Sequence, residues 1–420
     1  MSSENTSRRN FLKNAGMVAA LPLASPVLDA KALINPGNEA LKITDLSLHV
    51  VKVNQRGNWY FIELKTNKGL VGLGECSQAV AGTAPGNEVA VRKELNLLFS
   101  FLKGSSPFEL EAFRQKAFKI ADTKIKRTVF SGLEQALWDL NGKALGVPVH
   151  TLLGGKLRDK IRVYANINRA TNDRDANGKR PVASFQKNAE QALRQGFTAL
   201  KLAPFDEMRA LDKSSPAQIE EDILHGIKCI EGVRSAIGKE IDLLIDVHSH
   251  LNLNLSIETA RRVEAADLFW FEEPVNPLKY PKETKQIKES IKQTLAGGES
   301  VFGRKEYAEL INTMALGIIM PDVKHCGGIL ELKYIAAAAE AAGDIQVAPH
   351  NPSGPVATAA SVAVCATLPN FCILEYAFGE VPWSNDLVTP KEAFINGYIP
   401  VSDKPGLGIC LNQGLIKQHV

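Results

Sequence analysis

Seven ionisable residues, Lys201, Asp246, Glu272, Glu299, Asp322, His350 and Glu375, stand in or just after short apolar runs. The runs are TALKLAPF, IDLLIDVH, LFWFEEP, QTLAGGES, GIIMPDVK, IQVAPHN and FCILEYAF. Subtracting successive residue numbers gives gaps of 45, 26, 27, 23, 28 and 25 residues. A charged group beside an apolar run is costly to bury alone, so a recurrence of this kind points to groups that converge. Asp246, Glu272 and Glu299 form an oxygen-only set on three consecutive runs. Crowded carboxylates repel and raise one another's pKa values unless a cation lies between them. Oxygen donors on a rigid scaffold favour Mg²⁺, which keeps water or substrate oxygens in its other positions.

The spacing also names the elements that must position these groups. All gaps but the first match one βα unit of a parallel barrel, in which about 250 residues are shared among eight units. With IRVYANI placed ahead of the seven runs, eight candidate strands alternate with helical patterns such as LKYIAAAAEAAG. That order predicts an α/β chain containing a (β/α)8 TIM-type barrel, with its active site at the C-terminal strand ends. The expected barrel spans 158–380. Upstream, KITDLSLHVVKV alternates as a strand, NWYFIELKTNKGLVGLGE reads as a hairpin turning at Lys68-Gly69, and two helical patterns follow. An α+β domain is therefore expected over 41–157, and 381–420 is expected to return to it or to the barrel.

The 420 residues are 45% hydrophobic and 23% charged, and the net charge of +3 arises from 49 basic against 46 acidic residues with no long block of one sign. Neither a nucleic-acid partner nor stable membrane insertion is expected from such a balance. SRRNFLK, followed by AGMVAALPLASPVL and the small residues of DAKA, reads as a twin-arginine export signal over 1–32 and predicts a periplasmic protein. Pro22 and Pro26 interrupt its apolar stretch, whereas a spanning helix needs roughly 20 continuous apolar residues. The six cysteines are scattered, mostly in apolar settings, and read as buried thiols rather than a disulfide framework.

The segments GLVGLGE, EQALWDLNGKALGVPVHTLLGG, WFEEPV, GGES, MPDVKHCGGI and APHNPSGP, in this order, resemble the enolase superfamily and within it the mandelate racemase branch of acid-sugar dehydratases. The resemblance implies a modified barrel with an N-terminal capping domain. It implies Asp246, Glu272 and Glu299 as Mg²⁺ ligands, and a His350–Asp322 dyad whose imidazole takes the proton next to a substrate carboxylate. The resulting negative charge needs a preorganised cation to neutralise it as it forms. Asp246-Val247-His248 resembles the Asp-x-His of galactonate-type dehydratases. On a strand the histidine would share the face of Asp246, because side chains alternate with period two, and it would protonate the departing β-hydroxyl. Glu375 resembles a strand-eight glutamate that bonds the substrate carboxylate.

The family often carries Lys-x-Lys on the second strand, but this chain reads Lys201-Leu202-Ala203. The loss of the second lysine weakens a two-base racemase. It leaves Lys201 to pair with the substrate carboxylate or with a ligand carboxylate. His250 has no family counterpart. NQRGNW and QAVAGTAPG resemble the capping loops that set specificity. The expected activity is Mg²⁺-dependent dehydration of an aldonic or aldaric acid to a 2-keto-3-deoxy acid through a metal-stabilised enolate, by a chain expected to form a homo-oligomer. An epimerase, racemase or lactone-forming cycloisomerase is the runner-up. His248-Ser249-His250 also has the His-x-His pattern of barrel amidohydrolases, but that motif belongs after the first strand, and WFEEPV and GGES would go unexplained. A non-catalytic sugar-acid binder stays open until turnover is seen.

Overall fold

The computed structural model describes residues 40–84 and 86–419. The export segment lies outside the described residues. An antiparallel sheet opens the fold, built from β1 (Ile43–Asn54), β2 (Gly57–Thr66) and β3 (Val71–Glu75) in that order. Gly69 supplies the positive φ of 75° at the β2–β3 turn, where Thr66 Oγ1 also accepts from the Leu70 amide at 3.0 Å. Helices α1 (Gly86–Phe99), α2 (Leu110–Ala117) and α3 (Lys124–Leu145) complete this layer. Thr123 caps α3 by accepting from the Lys126 amide, and Gly146 ends it in the left-handed region. The helix α3 presses onto β3 through glycines: a Cβ on Gly74 would overlap the Gly132 carbonyl.

Beyond the one-turn helix Val149–Leu152, strand and helix alternate. The parallel strands are β4 (Lys160–Asn166), β5 (Ala199–Leu202), β6 (Asp242–Asp246), β7 (Leu268–Glu272), β8 (Leu295–Gly297), β9 (Ile318–Ile319), β10 (Gln346–Val347) and β11 (Leu374–Tyr376). Their outer helices are α4 (Val182–Arg194), α5 (Pro216–Ile237), α6 (Leu253–Arg262), α7 (Pro281–Ser290), α8 (Gly303–Thr313), α9 (Gly328–Ala342) and α10 (Pro355–Cys365). Neighbours pair in chain order from β4 to β10, and β11 pairs with β4. A parallel bridge from Val347 to Phe371, just ahead of β11, closes the ring. The chain is thus the α/β barrel that the spacing predicts, with the N-terminal α+β cap that the resemblance implies.

The barrel interior has two storeys, and strand alternation explains both. Tyr164, Ala199, Leu244, Trp270, Met320, Ala348 and Ile373 belong to one buried apolar cluster. Two residues on from each come Asn166, Lys201, Asp246, Glu272, Asp322, His350 and Glu375. Period two therefore stacks a polar storey over an apolar floor. The intervening residues, such as Leu243 and Ile245, face the helices in the larger core. Glu299 breaks the rule: it stands three residues after Ala296, and Gly298 with φ 100° absorbs the extra residue.

The end of the chain touches both layers. β12 (Val388–Thr389) pairs with β14 (Cys410–Leu411), while β13 (Tyr398–Pro400) lies antiparallel against β4. After α11 (Gln413–Gln418), the His419 carbonyl accepts from the Lys52 amide of β1 at 2.7 Å. None of the six cysteines is in a disulfide, but Cys372 is only half-buried and Cys410 is exposed, so the expectation of buried thiols holds for the other four. Among the described residues no helix is long and apolar enough to cross a membrane.

Candidate active site

All eight residues singled out from the sequence lie at the barrel mouth, though not all at strand ends. Asp246 and Glu272 close β6 and β7, and Lys201 and Glu375 lie inside β5 and β11. Glu299, Asp322 and His350 stand two or three residues past their strands. His248 departs from the expected geometry. The strand stops at Asp246, and His248 and Ser249 have φ of 47° and 60°, so the backbone turns rather than continuing to alternate. His248 still meets Asp246: its amide donates to Asp246 Oδ1 at 2.9 Å, and its Nε2 lies 3.0 Å from Oδ2. A tight turn, not period two, brings the pair together.

Asp246, His248 and Glu299 each offer one ligand atom within 4.8 Å of the others, the spacing a single metal ion needs. Glu272 is engaged elsewhere. Both its oxygens lie 3.0 Å from Lys201 Nζ, and Oε2 also accepts from Trp270 Nε1 at 3.0 Å. Lys201 thus pairs with the carboxylate expected to be a ligand, the second of its two sequence-level roles. It also lies 3.4 Å from Asp246 and 3.8 Å from Glu375. Burial alone would lower its pKa, but the carboxylates of Glu272, Glu375 and Asp246 more than reverse this and keep it an ammonium. Burial and the neighbouring Asp246 charge push Glu272 up, against the pull of Lys201. Asp246 stays below the usual carboxylate range because the His248 and Lys201 charges outweigh its burial.

On the opposite side, His350 Nδ1 lies 2.7 Å from Asp322 Oδ2, and Nε2 lies 3.1 Å from Glu299 Oε2. Burial would lower the His350 pKa, but Glu299, Glu375 and Asp322 raise it. Asp322 is fully buried and is held below its usual range by Lys324, His325 and His350 despite its burial. Glu375 accepts from Asn166 Nδ2 at 2.5 Å and from the Asn351 amide at 3.0 Å. Burial pushes it up, but Lys201 and His350 bring it below the ordinary value.

Three groups escaped the sequence reading. Lys324 is completely buried and donates to the same Asp322 oxygen as His350, at 2.7 Å, and to Ser353 Oγ. Its place two residues after Asp322 in MPDVKHCGGI was the available signal. Asp206 Oδ1 meets His248 Nδ1 at 2.6 Å and carries Arg180 on its other oxygen at 3.0 Å, a contact no spacing announces. His248, between Asp206 and Asp246 and 40% exposed, has its pKa raised by those carboxylates although burial opposes the shift. Glu273 accepts from the Gly298 amide at 2.7 Å; burial and then Glu299 push it up to about 7. His250, by contrast, forms no part of the ligand group, and burial lowers its pKa.

A parallel barrel under an α+β cap, with carboxylates and a His–Asp dyad over its mouth, defines the enolase-like class of enzymes. This chain belongs to it: residues 39–154 match the mandelate racemase/muconate lactonizing enzyme N-terminal domain, and 184–415 match the enolase C-terminal domain-like family. Its relatives include a D-xylonate dehydratase of Haloferax volcanii, 30% identical over 92% of each chain. A D-galactonate dehydratase of Xanthomonas campestris is 32% identical over 90% of this chain and 94% of its own. Among solved structures, a mandelate racemase/muconate lactonizing enzyme from Jannaschia is 30% identical with a TM-score of 0.79, covering 90% of this chain and 97% of that one. A member of the enolase superfamily from Salmonella Typhimurium is 27% identical with a TM-score of 0.79, covering 90% and 98%.

Proposed function

We propose that this chain is a carbon–oxygen lyase that dehydrates a sugar acid, aldonic or aldaric, to a 2-keto-3-deoxy acid with the help of Mg²⁺. The observation that carries the reading is the placement of His350, whose Nδ1 is held by Asp322 while Nε2 faces the carboxylate group. With Nδ1–H donating to the Asp322 carboxylate, Nε2 is the atom left to take the substrate's α-proton. Lys201, paired with Glu272 and 3.8 Å from Glu375, supplies the positive charge that would let a substrate carboxylate lie beside these acids. His248 is raised by its two acid neighbours and carries a proton for the departing β-hydroxyl. The C–O bond then breaks, water leaves with that proton, and the enol tautomerises to the keto acid. Ala203, where a second base would stand, argues against a two-base racemase.

The donor set suits a divalent cation. Asp246, Glu272 and Glu299 would hold it, with His248 taking the place of Glu272 only if it is not the acid, and Glu299 Oε2 accepts no hydrogen bond although His350 Nε2 lies 3.1 Å away. When bound, Mg²⁺ would supply positive charge next to the substrate carboxylate as the α-proton leaves. Imidazole suits zinc and related metals better than Mg²⁺, so the choice of metal is itself informative. The test is a screen of aldonic and aldaric acids for 2-keto-3-deoxy products, after chelation and then with Mg²⁺ or Zn²⁺. Loss on chelation and recovery with Mg²⁺ supports the reading. Full turnover in chelator ends it, and hydrolysis restored by Zn²⁺ alone would point to an amidohydrolase.

A further inference from the structure

Helix α10 begins five residues after His350, and its first turn has no capping side chain of its own. Gly354 stands at the N-cap and Pro355 at the first helical position. The cap comes from the N-terminal domain instead. Glu75, which ends β3, accepts from the Gly354 amide at Oε1 and from the Ala357 amide at Oε2, both at 2.8 Å. These are the N-cap and N3 amides, which two side chains of one helix share in an ordinary capping box. Here a single carboxylate, 279 residues from Gly354 in the chain, takes both.

Glu75 is itself held firmly. It is completely buried, and Ser77 Oγ donates to its Oε1 at 2.6 Å. Its amide donates to Gln135 Oε1 of α3 at 3.2 Å, and Gln135 Nε2 donates to the carbonyls of Glu75 and Val323, each at 3.3 Å. Val323 directly follows Asp322. One point in the N-terminal domain thus meets both segments that carry the His350–Asp322 dyad. The link from α10 back to His350 is short and stiff, because Pro352 has a fixed φ and its neighbours are tied on both sides. The Asn351 amide donates to Glu375 Oε2 at 3.0 Å, its Nδ2 donates to Thr358 Oγ1 of α10 at 3.0 Å, and Ser353 Oγ accepts from Lys324, the buried ammonium that also serves Asp322.

We propose that Glu75 is a positioning residue for proton abstraction: by capping α10 from the other domain it fixes where His350 Nε2 meets the substrate's α-proton. The inference rests on the reading of His350 as the base. A shift at Gly354 has little slack to absorb it before it reaches the imidazole, and a misplacement of about 1 Å in a reacting group can cost on the order of 10²-fold in rate.

Glu75→Gln keeps the size of the side chain but turns an NH₂ group toward one of the two amides. Both kcat for dehydration and the rate of α-proton exchange should fall by about 10- to 100-fold, while KM and Mg²⁺ affinity stay within about twofold. Gly354→Ala disturbs the same contact from the barrel side, since a Cβ there would lie 3.0 Å from Glu75 Oε2 and 2.9 Å from the Phe61 ring. It should reproduce the pattern, and it decides the matter if Glu75→Gln does not fold. Ser77→Ala removes a bond to the same carboxylate within the N-terminal domain alone, and should lower the thermal midpoint with kcat kept. Unchanged kcat in the folded Glu75 or Gly354 variant overturns the proposal, as does an equal loss in Ser77→Ala or a loss carried by KM or Mg²⁺ affinity. A readout independent of turnover is the downfield proton resonance of His350 Nδ1–H, identified by its absence in His350→Asn. If it moves in Glu75→Gln and not in Ser77→Ala, but the unaltered protein dehydrates no sugar acid, the lyase reading fails and the positioning stands. Dehydration with kcat and resonance both unmoved would do the reverse.

Discussion

His350 and His248 face the same ligand group but are held in different ways. His350 is anchored by a fully buried carboxylate that Lys324 also neutralises. His248 is 40% exposed, on a turn, between two acids. His350→Asn should therefore abolish both dehydration and exchange of the α-proton with D₂O. Exchange at the original rate would pass the base to another residue, Lys201 first. His248→Asn should depress dehydration by about 10²- to 10⁴-fold, the usual worth of a positioned general acid, while some exchange survives. The proximity of His248 to Asp246 and Glu299 adds a second readout. Loss of Mg²⁺ affinity in the same variant, measured by calorimetry, would make His248 a ligand rather than the acid.

At the scale of elements, the cap keeps its place because small residues let β3 and α3 approach closely. Gly72 and Gly74 on the strand face Ala136 and Gly132 on the helix, and a Cβ at either strand position would overlap backbone. Neither strand glycine has a positive φ, so space alone decides the effect. Gly74→Ala should cost about 1–3 kcal/mol or more, as overpacking does, and lower the thermal midpoint. Gly86, which has open space around its missing Cβ, serves as the control. Gly86→Ala should leave the midpoint nearly unchanged, and equal effects of the two would refute the packing account.

The whole molecule is joined across its two layers by a buried ion cluster. Arg114 on α2 is 4% exposed and lies 3.5 Å from Glu134 on α3 and 2.5 Å from Glu331 on the barrel helix α9. Glu134 also accepts from the Ile329 and Leu330 amides at the start of α9, at 2.6 and 3.0 Å. Arg114→Met would leave Glu134 buried without its cation and Glu331 with Arg304 alone, 3.3 Å away, and breaking a buried pair in this way costs about 3–5 kcal/mol. Denaturant titration of both proteins checks this; a change within error would show that the cluster is dispensable. Arg8 and Arg9 act at the same scale as a proposed address. Changing both to Lys should hold the protein in the cytoplasm of a host with a twin-arginine system, and fractionation showing undiminished periplasmic delivery would refute the export reading.

Local periodicity carries much of this molecule. The alternation Leu244, Asp246 and Trp270, Glu272 puts an acid one step above an apolar floor, and near-regular spacing of such pairs is enough to announce a barrel and the mouth where they meet. These features are legible because they depend on neighbours two residues apart. Partner choice is not local. Lys201 could serve substrate or ligand until packing set its ammonium 3.0 Å from both oxygens of Glu272. Asp206 reaches His248, and Gln78 shares a cavity with Glu380, only because loops far apart in the chain are folded onto one rim. Even the Asp246–His248 contact, expected from alternation, comes from a left-handed turn. Residue type and period determine which chemistry gathers at the mouth. The long-range packing of cap and loops decides which group holds which, because those distances are properties of the closed ring and its cover rather than of any single segment.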